Sequence, residues 1–193
     1  MNEPASWNLT TTRLELRPVE VSDAETFFPL LSDPEISKDM AWSSHSTVEQ
    51  SQAFLEDAVR ALEARRAIHW AVRREGRIVG LFSLIDICGR HRAIEYDRAE
   101  LAYWLAPAEQ RQGFMTEAGR AVIAFAFRDL GLNKLVVAHH VGNAASEGLI
   151  LKFGFRKLYY EHEAFRKNGI SIDCIHYDLL RSTWEETQSH SDI

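Results

Sequence analysis

The stretch Gln110-Arg111-Gln112-Gly113-Phe114-Met115-Thr116-Glu117-Ala118 decides how this chain reads. Before it lies a strand-like run, Arg98-Ala99-Glu100-Leu101-Ala102-Tyr103-Trp104-Leu105, closed by Ala106-Pro107. After it, an amphipathic segment runs from Ala118 to Leu130 and stops at Gly131. A strand therefore hands over to a loop with one glycine, and the loop opens a helix. The first turn of a helix carries backbone N–H groups without internal partners, and the helix dipole adds partial positive charge there. Such a helix start can hold a phosphate or pyrophosphate. Gly113 lets the chain approach the anion closely, and Arg111 adds charge nearby.

Upstream, residues 1–10 read as a flexible N-terminus. Thr12 to Arg17 alternates as a first strand, stopped by Pro18. Ser22-Asp23-Ala24-Glu25 reads as a capping box that starts a helix running to about Ser32. Thr47-Val48-Glu49-Gln50 is a second capping box, opening a helix that ends near Arg66. Between them, Ile36 to His45 forms a loop or short turn with Met40 and Trp42. Ile68–Arg73 and Ile78–Ile87 alternate as a hairpin joined at Glu75-Gly76. Residues 88–97 read as a mobile surface loop.

Downstream, Lys134 to Ala138 is a compact buried strand. Asn143 is a helix N-cap, and its helix runs to Phe153 with Gly154 as the stop. Phe155–Glu163 and Ile172–Leu180 form a closing hairpin around Asn168-Gly169. Residues 183–193 read as a polar tail, which leaves residues 11–182 as a single domain. The order of elements predicts an α+β fold. Its sheet is mixed but mostly antiparallel, with about seven strands and helices on both faces. Strands 98–105 and 134–141, joined by a helix, form a parallel pair.

Composition narrows the function. The 193 residues are 46% hydrophobic, enough for one sizeable core. The net charge of -6 argues against nucleic-acid and anionic-membrane partners. Cys88 and Cys174 form no CxxC, which argues against a disulfide framework or cysteine-zinc site. No basic-then-apolar leader opens the chain, and no apolar run approaches the roughly 20 residues that span a bilayer. A cytoplasmic protein, monomer or homodimer, is expected. His139-His140 and Glu161-His162-Glu163 place their ligands on opposite strand faces, so no metal is expected. A Rossmann site would need G-x-G-x-x-G, whereas this loop has one glycine.

Two segments together carry a resemblance. Glu100 to Leu105, followed by Gln110 to Ala118, resembles the acetyl-CoA-binding motif of the GNAT superfamily of N-acetyltransferases. Asn143-Ala144-Ala145-Ser146, followed by Lys152-Phe153-Gly154-Phe155, is similar to that superfamily's second signature. The combination resembles most the RimJ/RimL-like branch, which acetylates N-termini of ribosomal proteins. The resemblance covers residues 12–180. It implies that backbone amides of Arg111, Gln112, Gly113, Phe114, Met115 and Thr116 cradle the pyrophosphate of acetyl-CoA, with Gln110 also among the cofactor-binding residues. It implies that Tyr103, Trp104 and Leu105 pair with the pantetheine arm where the two parallel strands splay apart, and that Asn143 and Ser146 face the arm and its sulfur. Met115 and Ala102 depart from the commonest residues at their positions. Where many relatives carry an acidic Tyr there is Ile150, so the acid role falls to Ser146 or to no side chain.

Acetyl transfer needs a neutral amine, fixed donors for the developing oxyanion and a proton or hydrogen bond for the leaving thiolate. Glu100 is the candidate base, with Glu163 in reserve. A half-buried strand carboxylate paired with an arginine is the plainer reading of Glu100. A backbone N–H near Leu101–Tyr103 could serve the oxyanion, and Ser146 the thiolate. The plainer reading of Ser146 is a hydroxyl bonded to its own helical turn. Three functions remain open. The first is acetylation of an N-terminal α-amine of a protein or peptide. The second is acetylation of a small amine such as an antibiotic, polyamine or aminoacyl compound. The third is a non-catalytic acyl-CoA sensor.

Overall fold

Alternating burial and turn chemistry build one sheet, which the computed structural model describes over residues 2–91 and 94–189. Strands β1 (Leu9–Thr10), β2 (Glu15–Pro18), β3 (Ile68–Arg74), β4 (Arg77–His91), β5 (Ile94–Leu105), β6 (Lys134–His140), β7 (Arg156–Lys167) and β8 (Ile170–Leu180) lie in the order β1-β2-β3-β4-β5-β6-β8-β7. The helices are α1 (Ala24–Leu31), α2 (Pro34–Ser37), α3 (Val48–Glu63), α4 (Phe114–Arg128), α5 (Ala144–Lys152) and α6 (Arg181–Ser189). The fold is α+β as expected, with eight strands among the described residues. Glu75 and Gly76 both take positive φ, the geometry of a tight hairpin turn between β3 and β4.

Period-two alternation sends side chains to two cores. On one face Trp70, Phe82, Leu84 and Leu101 pack with Val122, Phe125 and Ala126 of α4. On the other, Ala71, Leu81 and Trp104 pack with Phe27 of α1 and Leu55 of α3. Burying one large apolar side chain stabilises by about 1.5–3 kcal/mol. The centre of the sheet, clothed on both faces, is therefore rigid.

The exception to continuous pairing makes the site. β5 and β6 run parallel and pair only at Arg98↔Lys134, Ala99↔Leu135 and Glu100↔Val136. β5 continues alone to Leu105 on that side while still paired with β4 on the other. The strands splay immediately after Glu100. One edge of residues 101–105 thus presents backbone groups to a gap.

Several expectations are corrected. The capping box at the first helix is Glu20 with Asp23, not Ser22 with Glu25: Asp23 accepts from the Glu20 N–H at 2.8 Å, opening a 3-10 turn before α1. The helix expected to end near Arg66 ends at Glu63. The expected loop at 88–97 is an extension of the β4–β5 hairpin, with Arg90↔Glu95 and His91↔Ile94 paired; Arg92 and Ala93 lie outside the described residues. Register shifts near Cys88 break the alternation, which is why this strand did not read as one.

Both termini are more ordered than composition suggested. Trp7 packs edge-on against Phe125 at 6.1 Å, its carbonyl accepts from Trp70 Nε1 at 2.6 Å, and the Asn2 N–H reaches the Leu130 carbonyl. The expected polar tail is helix α6 as far as Ser189, anchored by buried Trp184 against Phe127. Residues 190–193 lie outside the described residues. No helix among the described residues is long and apolar enough to cross a membrane.

Candidate active site

The splay between β5 and β6 opens a cleft of about 720 Å³. At one end stands the start of α4. Gly113 is its N-cap at φ 81°, and Arg111 also has positive φ (63°). Alternation of left-handed and ordinary residues curls the backbone so that successive N–H groups converge. No side chain caps the helix, so the first-turn amides stay available to an anion. Glu117 in that turn would repel one. Burial pushes the Glu117 carboxyl up, but hydrogen bonds from Thr11 (2.6 Å) and Arg13 (2.7 and 2.8 Å) outweigh it and hold the group ionised below its ordinary value. Those partners also occupy its oxygens. Arg13 further donates to the Gln112 carbonyl, and Arg13 and Arg74 sit 4.4 and 4.8 Å from the centre of the Phe114 ring. The N-terminal segment thereby braces the loop.

The wall facing this helix start is α5. Asn143 caps it, accepting from the Ser146 N–H at 3.0 Å, as the N-cap reading expected. Gly119 in α4 lets the two helices meet: a Cβ there would lie 2.2 Å from the Phe153 ring. Ser146 Oγ does not bond back into its own turn. It lies 3.1 Å from the Tyr103 hydroxyl, across the gap from β5. Burial pushes the Tyr103 phenol up to about 12, with the Ser146 contact working against the shift. Tyr103 thus stays a neutral hydroxyl that can donate or accept.

Glu100 and Tyr103 are three residues apart on one strand, so they leave opposite faces of the sheet. Tyr103 joins the α4–α5 side. Glu100 emerges on the other side, where His176, Cys174 and Glu161 also line the cleft. Burial, reinforced by the Asp86 charge, pushes the Glu100 carboxyl up, while His176 and Arg98 pull it down. His176 Nε2 lies 2.6 Å from Glu161 Oε2 and stacks on Tyr159 at 4.4 Å. Glu35, Ile36, Asp39, Met40 and Ala41 close this end from above. That cover is tethered. His140 Nε2 lies 3.0 Å from Asp39, and Lys167 Nζ donates to the Ser37 and Met40 carbonyls.

The cleft brings together Glu100, Tyr103, Trp104, Leu105, Gln110, Arg111, Gly113, Phe114, Met115, Thr116, Asn143 and Ser146. It does not include Gln112, whose side chain turns back to the Ala108 carbonyl. Trp104 and Phe114 are 6% and 3% exposed, so they meet the cleft mainly through backbone and their rings serve the cores. Glu163 stays outside: it is an exposed bulge residue at φ 48° whose N–H binds Asp173. Met40 lines the cleft, whereas Trp42 packs behind it against Trp104. Sequence reading missed Asp39, Glu161, Cys174 and His176, which no motif joins. His139 is buried on Tyr177 while His140 faces Asp39, as opposite-face geometry required. Among the described residues, no group of three or more His, Cys, Asp or Glu side chains could hold a metal.

A splayed parallel pair flanking an uncapped helix start defines an acyl-transfer fold. The chain belongs to the GNAT acetyltransferase family: the family model for the acetyltransferase (GNAT) domain matches residues 13–156. It is 27% identical over 175 residues to the N-acetyltransferase YoaA of Bacillus subtilis (strain 168), covering 90% of this chain and 96% of the relative. A candidate ribosomal N-acetyltransferase of the same organism, YdaF, is 31% identical over 111 residues, 58% of each chain. Among solved structures, the ribosomal L7/L12 alpha-N-protein acetyltransferase RimL in complex with coenzyme A superposes with a TM-score of 0.83 at 19% identity, covering 91% of this chain and 98% of that one. The chain is therefore an acyltransferase of this family.

Proposed function

We propose that this enzyme transfers the acetyl group of acetyl-CoA to the N-terminal α-amine of a protein or peptide, by direct attack in a ternary complex. The observation that carries the reading is the passage through the sheet after Glu100: donor groups line one face of the gap and acidic groups the other. The uncapped amides of Phe114, Met115 and Thr116, beside Arg111, suit the pyrophosphate. The unpaired edge of residues 101–105 suits the amide-bearing pantetheine arm, which would pair as an added strand. The thioester then points into the gap between Glu100 and Ser146.

On this reading the amine arrives as an ammonium among Asp39, Glu161 and Glu100. Glu100, directly or through water, takes the proton that frees the lone pair. Its raised pKa makes it a better proton acceptor near neutral pH than an ordinary carboxylate. The amine attacks the thioester carbonyl. A backbone N–H on the open edge near Leu101–Tyr103 stabilises the oxyanion. As the intermediate collapses the C–S bond breaks; the thiolate takes a proton from the Ser146 hydroxyl, which recovers one from the second N–H that the attacking nitrogen sheds, while the neutral Tyr103 hydroxyl holds Ser146 in place. The acidic lining favours a cationic amine, and likeness to YdaF and RimL favours a protein α-amine among them.

Incubation with acetyl-CoA and a panel of peptides, polyamines and aminoacyl compounds, followed by thiol release, tests the reading. Release with peptides bearing a free N-terminus, abolished by N-terminal blocking, is expected. Preferential release with small amines would replace the acceptor. Coenzyme A binding without release for any acceptor would make the chain a sensor.

A further inference from the structure

Behind α5 lies a chain of polar side chains that the acetyl transfer itself does not use. His139 of β6 is 6% exposed and Tyr177 of β8 is 1% exposed. Their rings stack with centroids 5.4 Å apart, and His139 Nε2 lies 3.1 Å from the Tyr177 hydroxyl. That hydroxyl lies 3.2 Å from Glu147 Oε1, in the first turn of α5. The other ring nitrogen of His139, Nδ1, lies 2.9 Å from the His140 carbonyl. Among the described residues, no lysine or arginine pairs with Glu147.

The number of protons limits which of these contacts can coexist. A carbonyl only accepts, so Nδ1 carries a hydrogen. Burial, and after it the Glu147 charge, pushes the Tyr177 phenol up, so it keeps its single proton. If the phenol donates to the Glu147 carboxylate, Nε2 must donate to the phenol oxygen, and His139 is an imidazolium. If His139 is neutral, Nε2 takes the phenol proton and an ionised Glu147 receives none. A protonated Glu147 donating to the phenol restores both contacts and holds the same extra proton. The complete chain therefore carries one proton more than neutral His139 with ionised Glu147. Other titratable groups near it are engaged. Tyr103 of β5 holds Ser146, and Asp173, on the same face of β8, accepts from Tyr160 and the Glu163 N–H beside His162. His140 and His176 leave the opposite face for Asp39 and Glu161, and Lys152 stands at the far end of α5. Glu147 follows Ser146 in one turn, so that turn is held twice: by Tyr177 of β8 and by Tyr103 of β5. We infer that His139, Tyr177 and Glu147 are positioning residues for Ser146. Holding one shared proton, they pin the first turn of α5 so that its hydroxyl meets the leaving thiolate. They let the turn go as pH rises through the range in which histidine changes charge. The inference rests on the proposed role of Ser146 and adds to it a control outside both sequence motifs.

The test is kcat at saturating substrates from about pH 5 to 8. Each variant is compared with the wild type at the same pH, which cancels the Glu100 limb. Tyr177→Phe is expected to lower kcat roughly threefold to tenfold at the acid end, the scale of one hydrogen bond. At the alkaline end it should match the wild type, which has by then lost the Glu147 contact itself. Glu147→Ala, at a half-buried helix position, should show the same pattern without disturbing the core. His139→Ala should also lose rate. His139→Gln supplies a permanent amide donor to the phenol, so it should recover that loss and hold its rate at the alkaline end. Unchanged coenzyme A affinity in calorimetry reports correct folding of each variant. In a Ser146→Ala background, Tyr177→Phe should add nothing. A loss equal at every pH, or His139→Gln behaving as His139→Ala, would overturn the inference. So would a silent Tyr177→Phe beside an impaired Ser146→Ala, with the Ser146 role left standing. A wild-type rate in Ser146→Ala would overturn both.

Discussion

The two ends of the cleft are made differently. The donor end is built from backbone: a left-handed glycine, three free amides and an unpaired strand edge, most of it within residues 101–116. The acceptor end is built from side chains: Asp39 beyond α2, Glu100 on β5, Glu161 on β7 and His176 on β8. These are far apart in the chain and meet only through sheet pairing. One end is basic and the other acidic, on opposite faces of the sheet. A backbone site needs consecutive residues in a set geometry, whereas a side-chain site needs only that distant strands line up. The two should therefore fail separately when perturbed.

The largest effect is expected at the donor end. Gly113→Val should lower coenzyme A affinity at least about 100-fold, since losing two charge-assisted amide contacts at roughly 1.5 kcal/mol each is enough. The cause is partly conformational, because φ 81° is an outlier for a β-branched residue. Gly113→Asn separates the causes, since Asn tolerates that conformation yet places atoms on the approach. Calorimetry that found unchanged affinity in both variants would remove the pyrophosphate from this loop. Peptide binding measured apart from coenzyme A should be unaffected.

This contrast explains how much was legible in the sequence. Gly113 between a strand and a helix, and Asn143 three residues before Ser146, are local patterns, and both hold in the structure. The Tyr103–Ser146 contact was not legible, because the two residues stand 43 positions apart and the chain folds through α4 and β6 before the hydroxyls meet. Nor was the Glu100 environment, which depends on Asp86 in a β4 bulge and on His176 in β8. The strand segments 88–91 and 94–97 were read as a loop because the bulges break the alternation. The ends of the chain were read as polar and loose because single aromatics, Trp7 and Trp184, carry their packing. Glu163 was a fair reserve by alternation alone, and the bulge on β7 between Glu161 and Phe165 turns it away.

Next in size is Glu100→Gln, expected to lower kcat by about 100-fold while leaving coenzyme A affinity intact. The pH profile gives the sign. Burial raises the Glu100 pKa, and the base works only when ionised. Wild-type kcat/KM should therefore be full above that raised pKa and fall as pH drops through it, with a limb above the ordinary carboxylate range. Glu100→Gln should lose this limb. A variant that kept both rate and limb would assign proton removal to solvent or another group. Smaller again is Ser146→Ala, expected to lower kcat roughly tenfold, the worth of about 1.4 kcal/mol. Tyr103→Phe should reproduce most of that loss if the two hydroxyls act in series. If Tyr103→Phe is silent while Ser146→Ala is not, the serine acts alone.

The smallest effect bears most directly on the separateness of the two ends. Lys167 reaches from the β7–β8 turn to the carbonyls of Ser37 and Met40, and so holds the α2 segment, with Asp39 and Met40, over the acceptor end. Lys167→Met keeps the length of the aliphatic stem and removes the donors. Ile36 stays in the core and Ser37 stays bonded to Ser44, so α2 itself should hold, whereas the residues beyond it should loosen, because the partly exposed His140–Asp39 pair that remains there contributes at most about 1 kcal/mol. Acceptor KM should rise by roughly threefold to tenfold, matching the loss of about one charge-assisted hydrogen bond. Coenzyme A affinity should not move, because none of these tethers touches α4 or the open edge of β5. Steady-state kinetics with acceptor varied at saturating acetyl-CoA, beside calorimetry for the cofactor, reads both quantities on one protein. If both shifted together, the gap in the sheet would behave as one coupled site, and the independence argued from its construction would be wrong.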